Sequence, residues 1–139
     1  MNRWIIDCSF SAALFLPDEN SPTAERFFSR ISADDYLFVP SLWWTELASL
    51  VNEANKREQL QRMDILTVIS LFRELKLVTD TQYGPEYAER LYELAATYRL
   101  SGYDAAYLEL ALREKAAIAT LDPKKLAAAD IAGVKTVGF

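Results

Sequence analysis

The chain has 139 residues, 51% of them hydrophobic and 12% aromatic, and a formal net charge of −5. That length suits one compact domain spanning residues 1–139, and the apolar content argues against wholesale disorder. With no histidine and a single cysteine, Cys8, the chain can hold no Ser-His-Asp triad, no H-E-x-x-H zinc site and no intramolecular disulfide, so any metal must be a hard ion bound by oxygen.

Arg3 to Asp7 reads as a short buried strand, Trp4-Ile5-Ile6, ending in an acid. A short helix follows from about Ser9 to Leu16, stopped by Pro17-Asp18-Glu19. Arg3 and the apolar stretch Phe10 to Leu16 imitate a signal peptide, but Asp7 interrupts the run and no small-residue cleavage pattern follows. No apolar run approaches the ~18 residues that span a membrane. A lone thiol fits a reducing compartment, so the expected location is cytoplasmic, with no membrane partner.

Ser21-Pro22 signals a helix start, with Ser as N-cap and Pro in the first turn. That helix is predicted to run to about Ile31, with Ala24, Phe27, Phe28 and Ile31 on one face. Tyr36-Leu37-Phe38-Val39 is a second buried strand. Pro40-Ser41 opens a helix with Trp43, Leu47, Leu50, Val51 and Ala54 at helical spacing. The polar stretch Asn55 to Gln61 turns the chain into another helix, about Arg62 to Leu75, which makes a helical hairpin over about residues 41–75. Trp44 faces a different side from Trp43 and is the aromatic best placed for an interface.

Leu77-Val78 is a weak strand candidate. Pro85 to Tyr98 is helical, with a stripe of Tyr87, Leu91, Leu94, Ala95 and Tyr98. Leu100-Ser101-Gly102 breaks the chain before a helix from Tyr103 to Lys115. Ala117 to Thr120 is a third strand, Asp122-Pro123 starts a short helix to about Ala129, and Val134 to Val137 closes as a strand. Strands alternating with helices predict a three-layer α/β fold on a mostly parallel sheet of four or five strands. The four glycines form no phosphate-cradling loop.

Ligands of such sheets bind beyond the carboxyl ends of the strands. Asp7 and Asp122 end strands there, Glu46 lies one turn into the helix after the second strand, and Asp104 lies in the first turn of a helix. Each has a simpler reading: Asp7 and Asp122 as helix caps, Asp104 in a capping box with Ser101, Glu46 at a chance position on the rim. Glu46, however, points along an apolar stripe between Trp43 and Leu50, which is costly for a carboxylate without a partner. One shared site accounts for the four together. Two carboxylates ~4 Å apart repel by about 4 kcal/mol at an effective dielectric of 20. With no histidine and scattered arginines, a divalent cation is the simplest counter-charge, and Mg²⁺ or Mn²⁺ suits carboxylates. Such an ion also presents positive charge to phosphate, which answers the objection that an acidic chain should not bind nucleic acid. Lys124 and Lys125 could hold phosphate, although a solvated helix face is the plainer reading. Cys8 is expected to be buried and inert.

Ile5-Ile6-Asp7-Cys8-Ser9, Val39-Pro40-Ser41 leading to Glu46, Tyr103-Asp104-Ala105-Ala106-Tyr107 and Thr120-Leu121-Asp122, in this order and spacing, resemble the PIN domain family across nearly the whole chain. The resemblance is closest to toxins of the VapC type. It implies that Asp7, Glu46, Asp104 and Asp122 form the catalytic metal site, that the cofactor is Mg²⁺ or Mn²⁺, and that the substrate is RNA. It also implies a homodimer inhibited by a cognate antitoxin. Ser9 matches the family's small hydroxyl residue supporting the first Asp, and Thr120 matches the hydroxyl residue of the last motif. Cys8 departs from the pattern, where the family often carries a hydroxyl. Three rival readings stand beside this one: a receiver-like phosphoacceptor domain, a PIN nuclease of RNA processing or repair outside the toxin class, and an inactive PIN-fold binding module.

Overall fold

The computed structural model describes residues 2–16, 19 and 21–137. Its elements in chain order are strand β1 (Arg3–Ile6), helix α1 (Cys8–Ser11) with a 3₁₀ turn (Ala12–Leu14), α2 (Pro22–Arg30), β2 (Tyr36–Val39) and α3 (Leu42–Lys56). Then come α4 (Arg62–Glu74), β3 (Val78–Thr79), α5 (Pro85–Tyr98), α6 (Gly102–Glu114), β4 (Ala117–Ala119) and α7 (Pro123–Ala132).

The four strands form one parallel sheet in the order β3-β2-β1-β4. Ile5 pairs with Phe38 on one side and Ile118 on the other. Strands this short and this apolar are stable only when helices cover both faces, as in the expected three-layer α/β arrangement. Ile5, Ile6, Val39, Ile118 and Ala119 are buried in the sheet, and Trp43, Leu47, Phe72, Tyr107 and Leu110 bring the helices onto it. The fifth strand shrinks to a single bridge between Ile118 and Thr136. Two backbone hydrogen bonds flank it, Lys135 accepting from Ile118 and Val137 donating back.

Local signals act where the sequence puts them. Ser21 caps α2 through the N–H of Ala24, and Ser101 caps α6 through the N–H of Asp104. The helix expected over Ser9–Leu16 is instead one α-turn tightened into 3₁₀, because Phe15 and Leu16 both return their N–H groups to the Ala12 carbonyl. Its stop at Pro17 and Asp18 lies outside the described residues. Helix α3 runs two residues, Asn55 and Lys56, into the expected loop.

Trp44 has a structural role as well. Its indole N–H donates to Thr79 Oγ1 at 2.9 Å and its ring packs edge-on against Trp43. It therefore fastens α3 to the edge strand β3, with part of its surface still exposed. Helix α5 packs on α6 with no fully buried residue of its own. Among the described residues no helix is long and apolar enough to cross a membrane.

Candidate metal centre

The chain leaves β1 toward β2 on one side and later places β4 on the other. The carboxyl ends of β1 and β4 therefore flank the switch point of the sheet, where a crevice is expected. Asp7 directly follows β1, and its N–H continues the ladder by bonding the Ala119 carbonyl at 3.0 Å. Although Asp7 precedes α1, its side chain makes no cap hydrogen bond. The carboxylate turns inward and is 1% exposed. Thr120 Oγ1 donates to its Oδ2 at 2.6 Å, and the same hydroxyl accepts the Asp122 N–H at 3.1 Å. One threonine after β4 thus ties the first and last acids together.

Lys125 stands at the centre. Its ammonium Nζ lies 3.0 Å from Asp104 Oδ1, 3.3 Å from Asp7 Oδ2 and 3.8 Å from Asp122 Oδ2. It also sits 4.8 Å from the centre of the Tyr107 ring, a cation–π contact. Only 9% of the side chain is exposed. Burial works against this charge, but the carboxylates of Asp7, Asp104 and Asp122 outweigh it and hold the ammonium above the usual lysine range. The expectation that Lys125 lies on a solvated face is wrong, and its ammonium supplies a counter-charge beside the divalent ion expected there. Lys124 does lie exposed.

Glu46 stands outside this triangle and is half-buried. The buried Tyr107 hydroxyl donates to its Oε1 at 2.6 Å, and the Tyr107 hydroxyl oxygen accepts the Cys8 N–H at 3.4 Å. Burial raises the proton affinity of Glu46, the Tyr107 hydrogen bond opposes that, and the Asp7 charge adds to it. Burial likewise pushes the Tyr107 hydroxyl and the Cys8 thiol well up, with the Asp7 and Glu46 carboxylates adding to both shifts. Cys8 is buried and free, as expected. A groove of about 450 Å³ opens beside Glu46, lined among others by Ser9, Leu42, Thr45, Leu50 and Tyr103. Ser9 is exposed on this groove, while the hydroxyl that reaches the Asp7 carboxylate is that of Thr120.

All four predicted acids therefore gather at the carboxyl edge of the sheet, three around one ammonium and the fourth through a tyrosine. A further strand-end acid, Asp80, is not part of the cluster. It follows β3 and is gripped by both guanidinium nitrogens of Arg113, at 2.9 and 2.8 Å. Arg113 also reaches the buried Glu109 at 2.7 Å.

The sequence reading missed Lys125 and Tyr107, and both had a signal. Lys125 precedes Ala128 and Ala129 by three and four residues, so it shares the buried face of α7. Tyr107 follows Asp104 by three residues and precedes Ala111 by four on α6. Charged or polar groups on an apolar stripe need partners, the reasoning that singled out Glu46.

The donor set suits a hard divalent ion in kind: four carboxylates, with no nitrogen or sulfur ligand. Its present spacing suits an ammonium instead. Among the described residues no three carboxylates stand close enough together to share one ion.

A model of the PIN domain family matches residues 5–132. Solved structures share the fold. A VapBC-1 structure from nontypeable Haemophilus influenzae superposes with a TM-score of 0.63 at 17% identity, covering 96% of each chain. A toxin–antitoxin complex from Klebsiella pneumoniae gives 0.61 at 23% identity, covering 96% of this chain and 97% of the other. VapBC2 from Rickettsia felis, bound to a DNA fragment from the promoter, gives 0.67 at 12% identity, covering 96% of each. No curated protein is matched by the sequence.

Proposed function

The chain belongs to the PIN domain family, whose members are generally nucleases, and from that premise we propose that it is a metal-dependent endoribonuclease, the toxin of a toxin–antitoxin pair. The observation that carries the reading is the convergence of Asp7, Glu46, Asp104 and Asp122, from four separate stretches of chain, on one edge of a parallel sheet. A carboxylate cluster with no histidine suits phosphodiester hydrolysis, in which a bound Mg²⁺ or Mn²⁺ supplies Lewis acidity and an activated water.

In this reading Asp7, Glu46, Asp104 and Asp122 hold the ion. Thr120 fixes the Asp7 carboxylate, and Tyr107 fixes Glu46 against the groove. That groove, apolar with acids along it, runs past Ser9 and Tyr103, and in this reading it is where RNA or the tail of an antitoxin would lie. The likeness of fold to VapBC structures supports the toxin assignment and an antitoxin partner, and a homodimer in the cytoplasm completes the proposal. The whole chain is read as one PIN domain.

The test is to incubate wild type and Glu46→Gln with total cellular RNA in Mg²⁺ or Mn²⁺, with and without EDTA, and to sequence the new ends. Discrete cuts by wild type, lost in EDTA and in the variant, are expected. Equal cutting by all samples, or none by wild type, would overturn the reading. The Lys125 ammonium inside the cluster favours one alternative, a PIN fold that binds RNA without cleaving it. Retention of RNA by a wild type that cuts nothing would select it.

A further inference from the structure

We infer that Lys125 is the resident counter-ion of the carboxylate cluster, which a divalent cation has to displace, so that this one side chain sets the metal affinity of the site. The inference rests on the metal-site reading above.

The geometry leads there directly. The ammonium touches three carboxylates from three different elements, the ends of β1 and β4 and the first turn of α6, and it reaches them from the first turn of α7. It is enclosed, with the Tyr107 ring at 4.8 Å. Mg²⁺ needs oxygen ligands at about 2.1 Å in near-octahedral order. The carboxylate oxygens now face Nζ at 3.0 to 3.8 Å. Drawing them in around an ion brings it against the point Nζ occupies, where two positive charges repel and compete for the same oxygens. Lysine is suited to such an exchange. Its charge is compact and its four-carbon stem is flexible. Lys124 beside it is exposed and supplies a control of equal charge.

Two consequences separate this from a merely structural lysine. Without metal, the ammonium holds together acids that would otherwise repel. With metal, it is a competitor. The experiment is Mn²⁺ titration of the full chain, followed by calorimetry and paramagnetic resonance, for wild type, Lys125→Met and Lys124→Met. Thermal unfolding in EDTA and in Mn²⁺ accompanies it. Lys125→Met is expected to melt lower than wild type in EDTA, to bind Mn²⁺ at least about tenfold more tightly, and to gain more in melting temperature on binding. Lys124→Met should behave as wild type. If Lys125→Met does not fold without metal, Lys125→Gln keeps most of the stem and a donor and carries the same expectation.

Unchanged or weaker Mn²⁺ binding in the Lys125 variants, with binding intact in wild type, overturns the exchange alone. Absence of Mn²⁺ binding in every protein overturns both the exchange and the metal site beneath it.

Discussion

Thr120 Oγ1 donates to Asp7 Oδ2 at 2.6 Å, across the seam between β1 and β4 and between residues 113 positions apart in sequence. Both side chains are buried, at 0% and 1% exposure. Thr120→Val keeps the shape and deletes the hydroxyl, so a buried carboxylate loses a donor and the Asp122 N–H loses its acceptor. Such a change costs about 1–3 kcal/mol. At roughly 3 °C per kcal/mol for a chain of this size, the melting temperature should fall by roughly 3–10 °C. Thr120→Ser should recover most of it. A Val variant as stable as wild type would show that this hydrogen bond contributes nothing net.

Tyr107→Phe removes an oxygen that joins the Cys8 backbone to Glu46. The stability cost should be modest, about 1 kcal/mol. The effect on the site should be larger. Partners that orient metal-holding groups are typically worth about 10–100-fold in metal affinity or activity. Mn²⁺ affinity and RNA cleavage measured side by side check this. A variant that loses stability and nothing else would reduce Tyr107 to a core residue.

Arg113 forms a bidentate pair with Asp80 and a second pair with Glu109, whose side chain is 5% exposed. These contacts hold its guanidinium charged well beyond the usual range, the hydrogen bonds to Glu109 and Asp80 outweighing burial. Arg113→Met strands a buried carboxylate, a lesion worth about 3–5 kcal/mol in general. Arg90 still approaches Glu109 at 3.6 Å, so the lower end applies. Adding Glu109→Gln should restore part of the loss. Urea unfolding of the two single variants and the double variant measures the coupling. Strictly additive losses would mean that the pair does not act as a unit.

Asp35 accepts the backbone N–H of Asn2 at 2.9 Å and of Ser32 at 3.1 Å, and these bonds hold its carboxyl below the usual range. A depressed carboxylate stabilises the fold above its ordinary pKa, near 3.8, and that contribution is lost as the pH falls through the folded value. Wild type should therefore melt above Asp35→Asn at pH 6, and the gap should close toward pH 2. A gap independent of pH would mean that the charge on Asp35 is not what matters.

Much of this fold was legible because local and global signals agree. Tyr36–Val39 and Pro85–Tyr98 are apolar or periodic runs bounded by unmistakable starts, and both appear with the expected bounds. Asp7, Asp104 and Asp122 were legible because each follows a strand or opens a helix at the same edge, and Glu46 because a carboxylate interrupts the apolar stripe of α3. Length of chain hid the rest. That Lys125 meets Asp7, or Tyr107 meets Glu46, depends on how elements far apart in the sequence settle on the sheet. Periodicity places a residue on a face without saying what that face meets. Asp80 shows the converse, a strand-end acid consumed by Arg113 that strand position alone would have counted as a fifth site residue.

The pairing of β1 with β4 sets a timetable for synthesis. Trp4, the second residue of the first strand, aligns with Ala117. Asp7 reaches its threonine and its lysine only once Thr120 and Lys125 exist. A chain still emerging from the ribosome can join β1 to β2 early, but it carries an isolated Asp7 and a bare sheet edge until nearly all the described elements have left the exit tunnel. Contacts of such long sequence separation form slowly even when available. The acid cluster is thus incomplete in every partial translation product, and it is assembled only in a molecule long enough to fold α7 over its own first strand.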